Sequence, residues 1–399
     1  VKPLRSTLAT VNLSTLRQNF RTIAERASAA FPNATNLDAA SRPAMMPVVK
    51  ADAYGHGIVP CAKVLLEEGK RLGIETMLGV AFAAEAAPLR AAEDMPDTRI
   101  AVVTPPFAHG AAEYCRLNLE FCAASHTTLQ AFSAEAAKTG RLLNAHLTID
   151  TGMRRDGIQP HEAVDFMRSV ADLPNINIYG ICTHFATADE ADKTYFNKQV
   201  RAFQDTIAAL KDAGFTFGYV HAANSGAIAE SVNSSNQALF TLLRPGIALY
   251  GYNPSHELHS PMNLAPVMSL STSIISLRRL PKGEAVSYGC RYITPKETTI
   301  ATIPIGYADG FRRGLTGKVK VLIRGQFFPV VGTICMDQCM IDIGDEPFGV
   351  GEEVVLLGAS QASDGTERRI TADDWADALG TIAYEICTGI TSRVPRMYV

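Results

Sequence analysis

The chain has no apolar run long enough to cross a bilayer, so no transmembrane helix is expected and no membrane is expected as partner. It has little net charge. A balance of −3 and a pI near 6.3 give no electrostatic reason to expect nucleic acid or an anionic lipid surface. The eight cysteines are scattered, and Cys335 and Cys339 form the closest pair. That spacing is neither the C-x-x-C of a metal site nor the density of a secreted disulfide scaffold, so no metal is expected. Cys122 and Cys182 sit inside apolar runs and read as buried thiols. No Gly-x-Gly-x-x-Gly follows the first strand, which weighs against a dinucleotide-binding reading. There is no internal repeat and no low-complexity segment. The run Val1-Lys2-Pro3-Leu4-Arg5 lacks the apolar core of a signal peptide, and a reducing cytoplasm is the expected setting.

What is present is an ordinary globular composition, 47% hydrophobic and 19% charged. At 399 residues the chain is too long for one ordinary core, so two domains are expected. Residues 5–12 alternate as a strand. Residues 13–29 read as a helix with Leu13, Leu16, Phe20 and Ile23 on one face and Ser14 near its start. Residues 31–43 read as a loop. After a short apolar run ending at Lys50, candidate strands at 77–82, 99–104, 118–123, 145–150, 177–183, 218–222 and 242–249 alternate with helical stretches, the clearest at 126–139 and 191–213. Strands alternating with helices over roughly 250 residues predict a (β/α)8 barrel, with a doubly wound open sheet as the alternative. Beyond residue 262 short β-rich runs dominate, at 269–280, 298–304, 318–324, 327–334, 339–343 and 353–358, with one helix at 371–379 opened by Thr371. The expected fold is therefore α/β, a barrel over 1–262 followed by a mostly β domain over 263–399, with the first strand a candidate member of the β domain.

The chain is organised around Met45-Met46-Pro47-Val48-Val49-Lys50-Ala51-Asp52-Ala53-Tyr54-Gly55-His56-Gly57. The apolar run predicts a buried strand that ends in a lysine. A loop with two glycines then opens a helix through Ile58, Cys61, Val64 and Leu65. Desolvation at such a strand end depresses a lysine pKa and leaves free amine, which Schiff-base chemistry needs. On the strand pattern alone, a lysine snorkelling into solvent explains the residue as well.

In barrels the active site lies at the C-terminal ends of the strands. Asp150-Thr151-Gly152-Met153-Arg154-Arg155 follows the fifth strand, His184 ends the sixth, His221 to Gly226 ends the seventh, and Arg244-Pro245-Gly246-Ile247 opens the eighth. The small residues Asn224-Ser225-Gly226 before a helix suit a phosphate, although Ser225 alone reads equally as a helix N-cap.

The segment Val48 to Gly57 resembles the pyridoxal 5'-phosphate (PLP) lysine motif of bacterial alanine racemases, a fold-type III family, and the resemblance recurs along nearly the whole chain. It implies that Lys50 holds PLP, that Tyr54, Asn224, Ser225, Gly246, Ile247 and Tyr384 are cofactor-binding, most of them around the phosphate, and that His184 lies beside the pyridine ring, linked to Arg244, which donates to the pyridine nitrogen. Ala285-Val286-Ser287-Tyr288-Gly289 resembles the catalytic tyrosine segment, which makes Tyr288 the second base opposite Lys50, its phenol lowered by positive neighbours such as His184 and Arg244. Ile305 to Gly310, carrying Tyr307, resembles the channel segment. Cys335-Met336-Asp337 resembles the substrate-contact segment, and Arg155 is expected on the substrate carboxylate. Tyr384-Glu385-Ile386 and Arg393 to Arg396 resemble the family C-terminus. The implied enzyme racemises alanine by two-base proton transfer, supplies D-alanine for peptidoglycan or serves its catabolism, and works as a head-to-tail homodimer whose shared sites receive Tyr288, Met336 and Asp337 from the partner subunit.

One departure stands out. Many members of the family carry a carbamylatable lysine two residues before the Asp-Thr-Gly-Met run, where this chain has Thr148. Arg155 then needs another anion, a chloride or a side chain, and Asp156 can pair with either arginine. A serine-preferring or broader racemase is the nearest rival reading, followed by a PLP-dependent decarboxylase and a non-catalytic PLP carrier.

Overall fold

The structure, a computed structural model, describes residues 5–30, 43–93, 95, 97–233 and 240–399. The expected loop at 31–43 lies, but for Pro43, outside the described residues. Two units form: Leu16–Ala53 with Ile58–Ala265, and Val1–Thr15 with Tyr54–Gly57 and Pro266–Val399. The chain opens on β1 (Leu8–Val11), which belongs to the second of these, the β-rich unit.

The barrel unit contains β2 (Ala44–Met45), β3 (Leu78–Val80), β4 (Ile100–Val102), β5 (Glu120–Ala123), β6 (Leu143–Thr148), β7 (Ile176–Cys182), β8 (Tyr219–His221) and β9 (Leu242–Leu243). Strands β3 to β8 pair in parallel and in chain order, and β2 pairs with β9. Parallel bridges Met45–Thr76 and Val48–Gly79 join β2 to the β3 edge. The Thr241 N–H donates to the Val220 carbonyl at 3.0 Å and joins β9 to β8. The ring is thereby closed, which removes the exposed edges of an open sheet. Fully buried strands such as β3 and β4 read as continuous apolar runs because helices cover the outside.

Local chemistry fixes the helices. Ser125 accepts from Thr128 N–H to start His126–Thr139, and Gly140 ends it in the left-handed region. The helix Leu13–Ala30 is capped by Asn12, whose Oδ1 accepts from Thr15 N–H at 2.9 Å, and not by Ser14. The apolar run at 242–249 is not one strand. Only Leu242–Leu243 pairs, because Pro245 offers no N–H, and Ile247–Tyr250 forms a 3-10 turn. A cavity of about 180 Å³ lined by Arg99, Asn118, Glu120 and Asn144, among others, lies at the N-terminal ends of β4 to β6.

In the β-rich unit, β10 (Met268–Ser273), β11 (Ser276–Leu280), β12 (Ala285–Val286), β13 (Tyr292–Ile293), β14 (Thr298–Ile303), β15 (Lys320–Ile323), β16 (Gln326–Val331), β17 (Cys339–Gly344), β18 (Glu353–Gln361), β19 (Glu367–Ile370) and β20 (Arg396–Tyr398) follow. The main sheet runs β11-β14-β17-β16-β15-β18-β10-β1-β20, so β1 lies between β10 and β20. Asp309, fully buried, accepts from Arg5 Nη1 at 2.7 Å and anchors the N-terminal segment within this unit.

Candidate active site

Lys50 does not end a strand as the apolar run suggested. Pairing of β2 stops at Met45, Val48 makes an isolated bridge, and Lys50 begins a tight turn. The next four residues, Ala51, Asp52, Ala53 and Tyr54, have φ between 52° and 54°, the left-handed region that costs non-glycine residues about 1–2 kcal/mol each. Such strain persists only where neighbours over-determine it. Here Ala51 N–H donates to Glu85 Oε1 at 2.7 Å, Ala53 N–H to the Val49 carbonyl at 2.8 Å, and Ile58 N–H to Asp52 Oδ1 at 2.7 Å. Glu85 Oε2 also accepts from Ala81 N–H at 2.7 Å, which ties the turn after β3 to the turn carrying Lys50. The Val48 carbonyl accepts from Tyr250 Oη at 3.0 Å.

The Lys50 amine lies below its ordinary pKa. Burial is the main cause, followed by the Arg155 guanidinium; Glu85 opposes the shift and Arg244 adds to it. Arg244 is buried after β9. Its Nη2 donates to the Thr183 carbonyl at 2.7 Å and to His184 Nδ1 at 3.4 Å, and its Nη1 donates to His221 Nδ1 at 2.6 Å. His184 is pushed down to about 3 by burial, and by Arg244, Arg155 and Lys50. It is therefore neutral, so it does not supply the positive charge expected of it.

Arg154 and Arg155, adjacent in sequence, part company. Arg154 Nη1 donates to Asp150 Oδ2 at 3.3 Å and to Gln159 at 2.8 Å. Arg155 Nε lies 3.4 Å from Asp156 Oδ2, so Asp156 pairs with Arg155. Gly157 adopts φ +107°, and a Cβ there would sit 2.7 Å from Asp150 N, so this loop admits only glycine. Thr148 Oγ1 lies 3.5 Å from Cys182 Sγ, inside the barrel. Ser225 begins a short helix capped by Asn224 Oδ1, and Ser225 Oγ accepts from Gly246 N–H at 2.9 Å, which brings the loops after β8 and β9 together beside Ile247.

The remaining expected residues fall in the β-rich unit. The Tyr54 and Tyr384 rings lie 5.9 Å apart, and burial raises the Tyr54 phenol. Tyr288 lies in a 3-10 turn and is 72% exposed. Thr333 Oγ1 donates to the Tyr288 carbonyl at 2.7 Å, and Ser287 Oγ donates to the Thr333 carbonyl at 2.6 Å. The Cys335 and Met336 carbonyls accept from Tyr307 and Ala308 N–H at 3.0 Å each, and Asp337 accepts from Arg393 at 2.7 Å. Backbone bonds thus join the segments of Tyr307 and Met336, and the side chains of Tyr288, Tyr307, Met336 and Asp337 are all exposed.

Sequence reasoning missed Glu85, Glu120 and His146. Glu85 carried a weak signal, a carboxylate in the first turn of a helix that follows a barrel strand. Glu120 carried a stronger one, since it is polar in an otherwise apolar parallel strand, and His146 is an ionisable residue within a strand of the barrel.

Residues 11–254 match the family described as alanine racemase, N-terminal domain, and residues 267–398 match alanine racemase, C-terminal domain. The chain is 43% identical to the alanine racemase of Desulfovibrio desulfuricans over 354 residues, 88% of this chain and 90% of that protein. Among solved structures, alanine racemase from the D-cycloserine-producing Streptomyces lavendulae superposes with a TM-score of 0.86 at 34% identity, covering 100% of this chain and 98% of that one. Histidine racemase from Leuconostoc mesenteroides subsp. sake gives 0.84 at 28% identity, covering 100% and 99%.

Proposed function

The chain belongs to the alanine racemase family, and from that premise we propose that it interconverts L- and D-alanine with PLP as cofactor and with Lys50 and Tyr288 as its two proton carriers. The donor set suits that cofactor: a lysine amine shifted toward its neutral form, an arginine that can only donate, and a serine hydroxyl with the Gly246 backbone beside it. When bound, PLP supplies a sink for the electrons left by the broken Cα–H bond. Lys50 Nζ takes or returns the proton on one face, and Tyr288 Oη serves the other. Arg244 would donate to the pyridine nitrogen, and a guanidinium cannot protonate it. That would keep the sink weak and favour simple return of the proton over side reactions. Arg155 binds the substrate carboxylate, with Asp156 holding it. Tyr54 and Tyr384 neighbour the phosphate together with Asn224, Ser225, Gly246 and Ile247. The observation that carries this reading is the depressed Lys50 amine on its strained turn, beside Arg155 and Arg244.

Tyr288 is supplied by the second subunit of a homodimer, together with Met336 and Asp337, and Tyr307 lines the approach. What supports this is the exposure of Tyr288, Met336 and Tyr307, at 72%, 52% and 40%, which is high for side chains assigned to substrate chemistry. D-alanine for peptidoglycan is the proposed product, made in the cytoplasm. Among the described residues no helix is long and apolar enough to cross a membrane.

The histidine racemase neighbour keeps a second reading alive, a racemase of another amino acid on the same fold. One methylene in a pocket is worth only about 1–3 kcal/mol, so fold alone does not choose the side chain. The test is Cα deuterium exchange on both enantiomers of alanine, serine and histidine, in wild type and Tyr288→Phe. Alanine is expected to exchange fastest, and the variant to lose activity unequally for the two enantiomers. Equal, undiminished turnover by Tyr288→Phe removes Tyr288 from the mechanism, and a preference for another amino acid replaces the substrate.

A further inference from the structure

A chain of polar side chains runs up the interior of the barrel, and only its Arg244 end is used above. Glu120 is the first residue of β5, His146 lies within β6, His221 ends β8, and Arg244 follows β9. Glu120, His146, His221 and Arg244 are all buried. Glu120 Oε2 lies 3.1 Å from His146 Nε2, His146 Nδ1 lies 2.9 Å from His221 Nε2, and His221 Nδ1 lies 2.6 Å from Arg244 Nη1. At the far end, Arg99 Nε donates to Glu120 Oε1 at 2.6 Å.

Chemistry fixes the direction of every proton in this chain. A guanidinium only donates, so His221 Nδ1 must accept. A neutral imidazole that accepts at Nδ1 carries its proton on Nε2. His146 Nδ1 therefore accepts in turn, and His146 Nε2–H faces a carboxylate that only accepts. Reversing any link leaves two donors or two acceptors face to face in a buried site, which is costly. Burial and the neighbouring Arg244 independently keep His221 neutral. The fold also makes room for the central contact. β7 lies between β6 and β8, and its residue opposite His146 is Gly180; a Cβ there would sit 2.1 Å from His146 Nδ1.

We propose that Glu120 is a positioning residue for Arg244, acting from the opposite end of the barrel through His146 and His221, two neutral imidazoles locked in the Nε2–H form. The carboxylate holds the relay at the His146 end, as the guanidinium does at the His221 end. The relay presents one lone pair to Arg244 Nη1 and so fixes the guanidinium plane and leaves its other edge to face Thr183 and His184. The consequence for catalysis rests on the proposed contact of Arg244 with the cofactor; the proton order does not.

The test is histidine-selective ¹⁵N NMR on the full chain, with and without added PLP, alongside racemisation kinetics. In wild type both rings should show a bare Nδ1 and a protonated Nε2 in either state. Glu120→Leu and, separately, Gly180→Ala should lose that signature at His221. They should also lower kcat roughly ten- to a hundredfold, the worth of one charge-assisted hydrogen bond, with KM little changed. Glu120→Gln keeps an acceptor oxygen and should keep the signature with a smaller loss. A protonated Nδ1 on either wild-type ring overturns the proposal. So does, in Glu120→Leu or Gly180→Ala, a fall in kcat with the His221 signature intact, or an unchanged kcat once the signature is gone. If the wild-type signature is present but no amino acid is racemised, the functional reading fails and the proton order stands.

Discussion

The left-handed turn after Lys50 makes a prediction whose sign separates it from any ordinary helix. Ala51 has φ 52° and an exposed side chain. Replacing it by glycine removes about 1–2 kcal/mol of left-handed strain. Glycine's greater freedom in the unfolded chain takes back about 0.5–1 kcal/mol. No buried methyl is lost, so Ala51→Gly should stabilise the protein by roughly 0.5–1 kcal/mol, or about 1–4 °C in the thermal midpoint of a unit of this size. In a right-handed helix the same change destabilises by about 1 kcal/mol. Ala53 has the same φ but is fully buried. Ala53→Gly also forfeits about 0.8 kcal/mol of methyl burial and should come out near neutral. The assay is thermal and urea unfolding of the cofactor-free protein, with kcat measured in parallel. Activity of Ala51→Gly should fall while stability rises, because the turn that aims Lys50 is loosened. A lowered midpoint for Ala51→Gly, or equal shifts for both variants, would refute the assignment of strain to this turn.

Two pH-linked outcomes follow from the charges. Because the Lys50 amine is depressed, the unfolded chain holds its proton more tightly than the folded chain, so this group adds stability as pH rises toward the ordinary lysine range. In Lys50→Met that rise should disappear, and the cofactor-free variant should be the more stable protein at neutral pH, checked by urea midpoints from about pH 7 to about pH 10. Glu68, fully buried, accepts from Arg21 and Arg71 and is pulled down to about 2, mainly by those hydrogen bonds. Its contribution is present above the ordinary carboxylate range and is lost as pH falls toward 2. Glu68→Gln should cost on the order of 2 kcal/mol at neutral pH, discounted for the solvent around the arginines, and the gap to wild type should close in acid melts.

Alternation made the barrel legible, since apolar runs and amphipathic helices announce themselves by period and length. The change of rhythm after residue 262 announced the β-rich segment in the same way. The left-handed turn was invisible, because alanine is silent about the sign of φ and nothing in Ala51-Asp52-Ala53 distinguishes this turn from a right-handed one. Short pieces such as β19, β20 and the helix Ala383–Gly389 carry too few residues for a period. The pairing of His146 with His221 joins residues 75 apart, and only strand order and the missing Cβ at Gly180 bring them together. The partners of Arg154 and Arg155 turned on a loop conformation that neighbouring charges alone do not specify.

The electrostatics around Lys50 connect the amine to what binds beside it. Of the charges acting on Lys50, Arg155 is the strongest and Arg244 adds to it, while only Glu85 opposes them. Asp156 engages Arg155 at 3.4 Å, longer than a tight charge-assisted contact. His184 adds no charge because burial and the same cations keep it neutral. Burial first, and then this excess of fixed positive charge, lowers the amine's proton affinity, and the charge also attracts anions. On the proposed role of Arg155, a substrate carboxylate docking there would cancel the largest cationic influence on Lys50 and raise the amine's proton affinity at the moment a proton must be taken. On that proposal the residue that recognises the substrate would also tune the strength of the base.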